Sequence, residues 1–325
     1  MTPTRIKEIL DKLLIGTWPI FIWGAPGVGK SSLVRLVADE KKLPVIDIRA
    51  PLLDPTDIRG VPSVVDGKAV WSPPSFLPRG GEGILFFDEL NAAPPLVQAS
   101  LYQLTLDRAV GEYRLPDGWR IVAAGNRAQD ASIVHRMPAA LSNRFIHLDF
   151  EVNVDDWRGW AIKNGINPLI TGFIGTRPDL IFSMKNADRG FPTPRSWHML
   201  SDALKSFGDV SKALDVIIGI VGEGAAVEFL GYTAQAISEE TIKEIIANPE
   251  TAELPTSIAD QYALISYLAH KAEDAKIRKA AGSILSRLPP ELGVLLARDM
   301  MRANARFAIE KTYLEFAAKH HEFIQ

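Results

Sequence analysis

The chain has 325 residues and a mass of 35.7 kDa, a length for two or three domains, and its 47% hydrophobic and 23% charged residues exclude a disordered or collagen-like chain. Its 36 Lys and Arg against 39 Asp and Glu give a net charge of −3, which excludes the bulk basic surface of a non-specific nucleic-acid binder. With no cysteine there is no disulfide, thiolate zinc site or cysteine nucleophile, and the six histidines form no H-E-x-x-H spacing.

In chain order, Ile6, Ile9, Leu10, Leu13 and Leu14 carry a helical period over 5–14. Pro19–Trp23 reads as a buried strand, Ser31–Lys41 as a helix and Leu43–Arg49 as a second strand. The proline-rich stretch 50–83 holds a short hairpin, Val61–Val65 and Lys68–Trp71 around Asp66-Gly67. Gly83–Asp88 is a third buried strand, and Val97–Asp107 is helical. Val110–Leu115 and Trp119–Ala124 flank Pro116-Asp117-Gly118 and predict a second hairpin. Phe145–Phe150 is the last strand. Strands alternating with helices predict an α/β fold with a mostly parallel sheet up to about residue 150.

The pattern then turns helical, most clearly over Ala259–Ala272, Ala275–Arg287 and Glu291–Phe316. Arg298, Arg302 and Arg306 recur at a four-residue spacing. Five Lys and Arg balance five Asp and Glu from 291 to 325, so they predict a solvated, salt-bridged face. His320-His321 reads as a frayed terminus and not a metal site. The uncharged runs Leu13–Gly29 and Leu90–Leu106 are broken by proline, glycine and polar residues, so no membrane span is expected. The first residues lack an apolar leader core, which makes the cytoplasm the expected location.

Gly24-Ala25-Pro26-Gly27-Val28-Gly29-Lys30-Ser31, with Ser32 following, fits G-x-x-x-x-G-K-[ST] without mismatch between a strand and a helix. Gly27 and Gly29 let backbone N–H groups approach phosphate oxygens, and the helix turns its positive end toward the anion. Lys30 is placed to reach the β- and γ-phosphates and the Ser31 hydroxyl to ligate Mg²⁺. The strand Ile84–Phe87 ends in Asp88-Glu89, two acids where open α/β sheets bind ligands. Asp88 is the candidate Mg²⁺ partner and Glu89 the candidate that orients and polarises a water.

The run Leu85–Ala99, LFFDELNAAPPLVQA, resembles the Walker B region of MoxR-type AAA+ ATPases. Asp54–Leu77 resembles the hairpin insertion in the second helix of that clade. Arg108–Leu115 and Arg120–Asn126 resemble its pre-sensor hairpin and sensor 1 strand, Leu141–Phe145 its arginine-finger segment, and Phe191–Trp197 its sensor 2 segment. The resemblance covers roughly 13–205. It implies a five-stranded P-loop core over 1–152, a helical lid over 153–235 and a C-terminal helical extension over 236–325.

It further implies ATP with Mg²⁺ as ligands, Asn126 as sensor 1, Arg144 as the finger acting on a neighbouring subunit, and Arg195 as sensor 2. The implied activity is ATP hydrolysis by a hexameric ring that remodels a partner, for this group often a von Willebrand A-domain protein. The family's Asn-Arg-Ala stands here as Asn91-Ala92-Ala93, and its Gln-Asn-Pro as Gly125-Asn126-Arg127, so Arg127 is a second candidate cation. Alternative readings are a DNA-directed, clamp-loader-like AAA+ protein, against which the charge balance weighs, and a nucleotide-gated assembly protein with little turnover, against which Glu89 weighs.

Overall fold

The computed structural model describes residues 1–130, 135–185, 189–208 and 210–320; His321 of the terminal pair lies outside them. The chain forms two compact units, Met1–Val152 and Asn153–Gln325.

The first unit is α/β. It runs α1 (Pro3–Leu13), β1 (Ile20–Trp23), α2 (Lys30–Glu40), β2 (Val45–Arg49), α3 (Pro55–Arg59), β3 (Val61–Val65), β4 (Lys68–Ser72) and β5 (Glu82–Asp88). It continues with α4 (Pro95–Asp107), β6 (Ala109–Val110), β7 (Tyr113–Arg114), β8 (Gly118–Gly125), α5 (Ala139–Ser142) and β9 (Ile146–Asp149). Five strands form one parallel sheet in the order β2-β5-β8-β1-β9. Ile20–Ile22, Ile84–Phe87 and Ile121–Ala124 are buried on both faces, which is why they read as unbroken apolar runs. Phe21, Leu85, Phe87, Leu101 and Ile121 share one core with the helices that flank the sheet.

The insertion hairpin forms as expected, β3 against β4, with Asp66 (φ 50) and Gly67 (φ 73) both left-handed as a tight two-residue turn requires. The second expected hairpin does not form. Val110 pairs with Tyr113 across Gly111, while Gly118–Gly125 is a central strand bonded to β5 on one side and β1 on the other. A strand saturated on both sides and apolar on both faces has no edge left for 110–115. The Arg108 guanidinium closes the intervening turn, donating to Pro116 O at 2.9 Å and Trp119 O at 2.8 Å.

Among the described residues the second unit is all helical: α6 (Val154–Lys163), α7 (Pro168–Thr176), α8 (Pro194–Phe207), α9 (Leu214–Val221), α10 (Glu223–Gln235), α11 (Glu239–Ala247), α12 (Ile258–His270), α13 (Ala275–Leu285), α14 (Pro290–Ala303) and α15 (Lys311–Lys319). Helix α12 packs on α7 and α14, and α14 on α6, so residue 235 falls inside a continuously packed unit. The single helix expected over 291–316 is broken at Asn304, whose backbone is extended and whose side chain accepts the Arg306 N–H to start a short 3₁₀ turn. Arg306 therefore leaves the α14 face. Arg298 and Arg302 both reach Asp155 on α6, at 2.9 Å to its carboxylate and 2.7 Å to its carbonyl. Among the described residues no helix is long and apolar enough to cross a membrane.

Among the described residues of this unit one ion pair is fully buried. Arg158 Nη2 lies 2.6 Å from Asp299 Oδ2, with both side chains at most 2% exposed, and Arg158 Nη1 donates to Thr171 O at 2.8 Å. Removing one partner strands a charge in the core. Arg158→Ala should lower unfolding stability by about 3–5 kcal/mol, while Arg158→Met with Asp299→Leu should recover most of it. Urea midpoints of the full chain at constant m-value read both outcomes.

Candidate active site

The sheet order brings four segments to one edge. Trp23 pairs with Gly125, Phe87 with Ala123 and Arg49 with Asp88, so the carboxyl ends of β1, β5, β8 and β2 finish together. The phosphate loop, the Asp88-Glu89 pair and Asn126 all follow those ends, where ligands of open α/β sheets lie.

The loop itself is built by its glycines. Gly24 N donates to Gly125 O at 3.1 Å, and a Cβ on Gly24 would press on Phe150 at 3.1 Å and on the Lys30 side chain at 3.4 Å. Gly27 (φ 75) and Gly29 (φ 108) adopt left-handed backbone that a side chain would strain. Ala25 and Val28 are buried, Pro26 is half-buried and Ser32 is exposed on the first turn of α2. Gly29 is the N-cap of α2 and has no side chain of its own to cap it, so the first-turn N–H groups follow directly from the loop.

Lys30 is only 7% exposed. Its Nζ donates to Gly24 O at 2.6 Å, Ala25 O at 2.9 Å and Asn126 Oδ1 at 2.9 Å. Ser31 Oγ donates to Asp88 Oδ2 at 2.8 Å. Asp88 Oδ1 accepts the Glu89 N–H at 3.1 Å, and Arg49 Nη1 stands 3.1 Å from Asp88 Oδ2. The Ser31 hydroxyl and the Asp88 carboxylate are hard oxygen donors side by side, a set that fits Mg²⁺. Glu89 is exposed with φ 57, a left-handed conformation that costs a non-glycine residue about 1–3 kcal/mol. Backbone strain of this kind concentrates at functional sites.

The structure thus unites Gly24–Ser32, Asp88, Glu89 and Asn126. Within the first unit, Arg127 and Arg144 have other partners. Arg127 is tied to Asp130, with Nε 3.2 Å from its Oδ2. Arg144 precedes β9, whose first residue pairs with Ile20 at the start of β1, so it sits at the opposite strand end from the phosphate loop. Its guanidinium lies 3.8 Å over the Tyr102 ring and donates to Ala140 O. A short relay joins the two ends: Trp23 Nε1 donates to His147 Nδ1 at 2.8 Å, and His147 Nε2 lies 2.8 Å from Ser142 O. Arg195 is in the second unit, exposed in the first turn of α8, where Thr193 and Ser196 form a capping box.

Two residues at the edge escaped the sequence analysis as site residues. Arg49 acquires its place from the β2–β5 register, which no local pattern encodes. Asn91 reaches Asn126 from the turn after Glu89, Nδ2 donating to Asn126 O at 2.7 Å. Its signal in the sequence is its place two residues beyond the acidic pair, where it matches the first residue of the Asn-Arg-Ala run named above.

Residues 19–145 match one family, the AAA domain of the dynein-related subfamily. The matched segment contains the phosphate loop, Asp88, Glu89, Asn126 and Arg144, and it ends before Arg195. No curated protein matches the chain. Among solved structures, NtrX from Brucella abortus is similar at 14% identity over 98% of this chain and 67% of its own, with a TM-score of 0.39. A variant of RuvB from Thermotoga maritima is similar at 17% identity over 82% of this chain and 79% of its own, with a TM-score of 0.41.

Proposed function

We propose that the chain is an ATPase, binding Mg²⁺–ATP at the Gly24–Ser32 loop and hydrolysing it with water held by Glu89. The observation that carries this reading is the meeting of Ser31 with Asp88 at 2.8 Å and of Lys30 with Asn126 at 2.9 Å on one strand edge. The loop amides and Lys30 bind the triphosphate oxygens, and Ser31 with Asp88 holds the cation. The cation supplies charge neutralisation between the phosphates when bound. Asn126 fixes Lys30 and offers its amide toward the terminal phosphate, and Glu89 accepts the proton of the attacking water.

The finer reading follows the MoxR-type resemblance. In it the chain forms a ring, for that family a hexamer, in which Arg144 completes the neighbour's site and Arg195 contacts the nucleotide from the lid. The ring acts in the cytoplasm as a remodelling chaperone on a partner protein, a von Willebrand A-domain protein being the proposed client. What supports a client-facing role for the β3–β4 hairpin is its exposed apolar surface, Val61, Val64 and Val65 all lying open.

Phosphate release by the purified chain tests the ATPase reading. Release should require Mg²⁺, and Glu89→Gln should slow it by about a hundredfold or more while ATP still binds. Wild-type protein that binds no ATP, or a Glu89→Gln variant at wild-type rate, overturns the assignment.

A further inference from the structure

We propose that Asn91 is a positioning residue of this site, a side-chain clasp that sets Asn126 and Glu89 against each other; the proposal rests on the ATPase reading above. Asn91 is 3% exposed. Its Nδ2 donates to Asn126 O at 2.7 Å, and its Oδ1 accepts the Asn126 N–H at 3.2 Å. The side-chain amide therefore presents a donor and an acceptor to one residue's main chain, as a neighbouring strand would.

The clasp answers a local need. The β5–β8 ladder ends at Phe87 paired with Ala123, yet the chain continues through Gly125 to Asn126. Asn126's N–H and C=O lie past the end of that ladder, where half-buried main-chain groups need partners. Asn91 supplies both. Gly125 makes room for it, because a Cβ there would collide with Asn91 Oδ1 and would stand 2.7 Å from the Phe21 ring. Glycine at 125 and asparagine at 91 are thus one device.

The same residue anchors the acid. Asn91 lies inside the single 3₁₀ turn Leu90–Ala92 that Glu89 opens, closed by Ala92 N donating to Glu89 O at 2.9 Å. Asn91 O in turn accepts the His135 N–H at 2.7 Å. A turn pinned at its centre fixes the residue that starts it. The Asn126 side chain, held from behind, carries its Oδ1 to Lys30 Nζ. One buried amide therefore sets the spacing between the residue that holds water, the residue that senses the terminal phosphate and the lysine that binds it. Asn91 touches none of the reacting atoms.

The clasp and its catalytic consequence are read separately. Hydrogen exchange at the Asn126 amide should be slow in wild type and at least tenfold faster in Asn91→Ala. In steady-state assays on the full chain, Asn91→Ala and Gly125→Ala should each lower kcat by about 10- to 100-fold, the scale for misplacing a catalytic group by about 1 Å, with ATP affinity held within about threefold. Gln98→Leu serves as the control for simple destabilisation. Gln98 is buried nearby and donates to Ala93 O at 2.9 Å, so its loss should lower the urea midpoint and leave kcat within twofold.

Unchanged exchange at Asn126 in Asn91→Ala overturns the clasp. Faster exchange with kcat within twofold of wild type overturns its positioning role while leaving the ATPase reading intact. A kcat loss in Gln98→Leu equal to that of Asn91→Ala reduces the effect to stability and overturns it as well. Wild-type protein without Mg²⁺-dependent hydrolysis overturns the underlying function instead, and with it the positioning role.

Discussion

Lys30→Ala should weaken ATP binding by about a hundredfold, some 2.7 kcal/mol, measured by calorimetric titration of Mg²⁺–ATP into the full chain at fixed salt. The figure follows from what the ammonium does. Hydrogen bonds to a charged group contribute about 1.5–3 kcal/mol each, and Lys30 is the loop's own cation, set between Gly24 and Ala25 of the loop and Asn126 beyond it. The loop carbonyls that accept from Nζ orient the side chain along the loop before any phosphate arrives. Lys30→Arg should not restore binding. The space is closed, and a planar fork cannot reproduce a compact charge on three acceptors. The urea midpoint separates this from unfolding, since Ser31–Asp88 and the β1–β8 ladder do not depend on Lys30. Affinity within threefold of wild type would place the nucleotide elsewhere.

Sequence and structure agree where the determinant is local. The Gly24–Ser31 spacing carries the loop's left-handed turns and the helix start within eight residues. The apolar run Ile84–Phe87 announces a strand buried on both faces, because no solvent-facing position interrupts it. Asp66-Gly67 announces its own turn. Agreement fails where the determinant is a long-range pairing. The stretch 110–124 has turn chemistry at Pro116-Asp117-Gly118, yet β5 and β1 claim Trp119–Ala124 from both sides. The helical period from 291 to 316 persists through Asn304, where tertiary contacts win: Phe307 is fully buried after the break and Asn304 reaches back to Ala272 O at 3.4 Å. Arg49 and Asn91 belong to the same class. Each becomes part of the site only through the strand that happens to lie beside it.

The position of Arg144 sets what its guanidinium can reach. The strand β1 has four residues, about 13 Å of extended chain, and Arg144 lies before the β9 residue that pairs with its first one. The phosphate loop leaves from its last. In the proposed ring, a guanidinium at that end, resting on Tyr102, would reach the nucleotide of an adjoining protomer and not its own. The stacking contact is worth about 0.5–2 kcal/mol, less than a bidentate grip on a charged phosphoryl group returns, so the side chain is exchangeable between the two. Arg144→Ala should therefore reduce hydrolysis by about a thousandfold, with ATP affinity within threefold of wild type.

The decisive measurement mixes two inactive proteins. Arg144→Ala retains an intact loop, and Lys30→Ala retains an intact arginine. In a head-to-tail assembly formed at equal proportions, about one interface in four pairs the intact loop with the intact arginine. Roughly a quarter of the wild-type rate should return on mixing, rising with protein concentration as protomers exchange. A mixture no more active than its components, at concentrations where the wild type assembles and hydrolyses, would return Arg144 to a purely local role on Tyr102. The site would then have to find its second cation within its own protomer, where Arg49 stands 3.1 Å from Asp88 and the proposed lid contact of Arg195 is the other candidate.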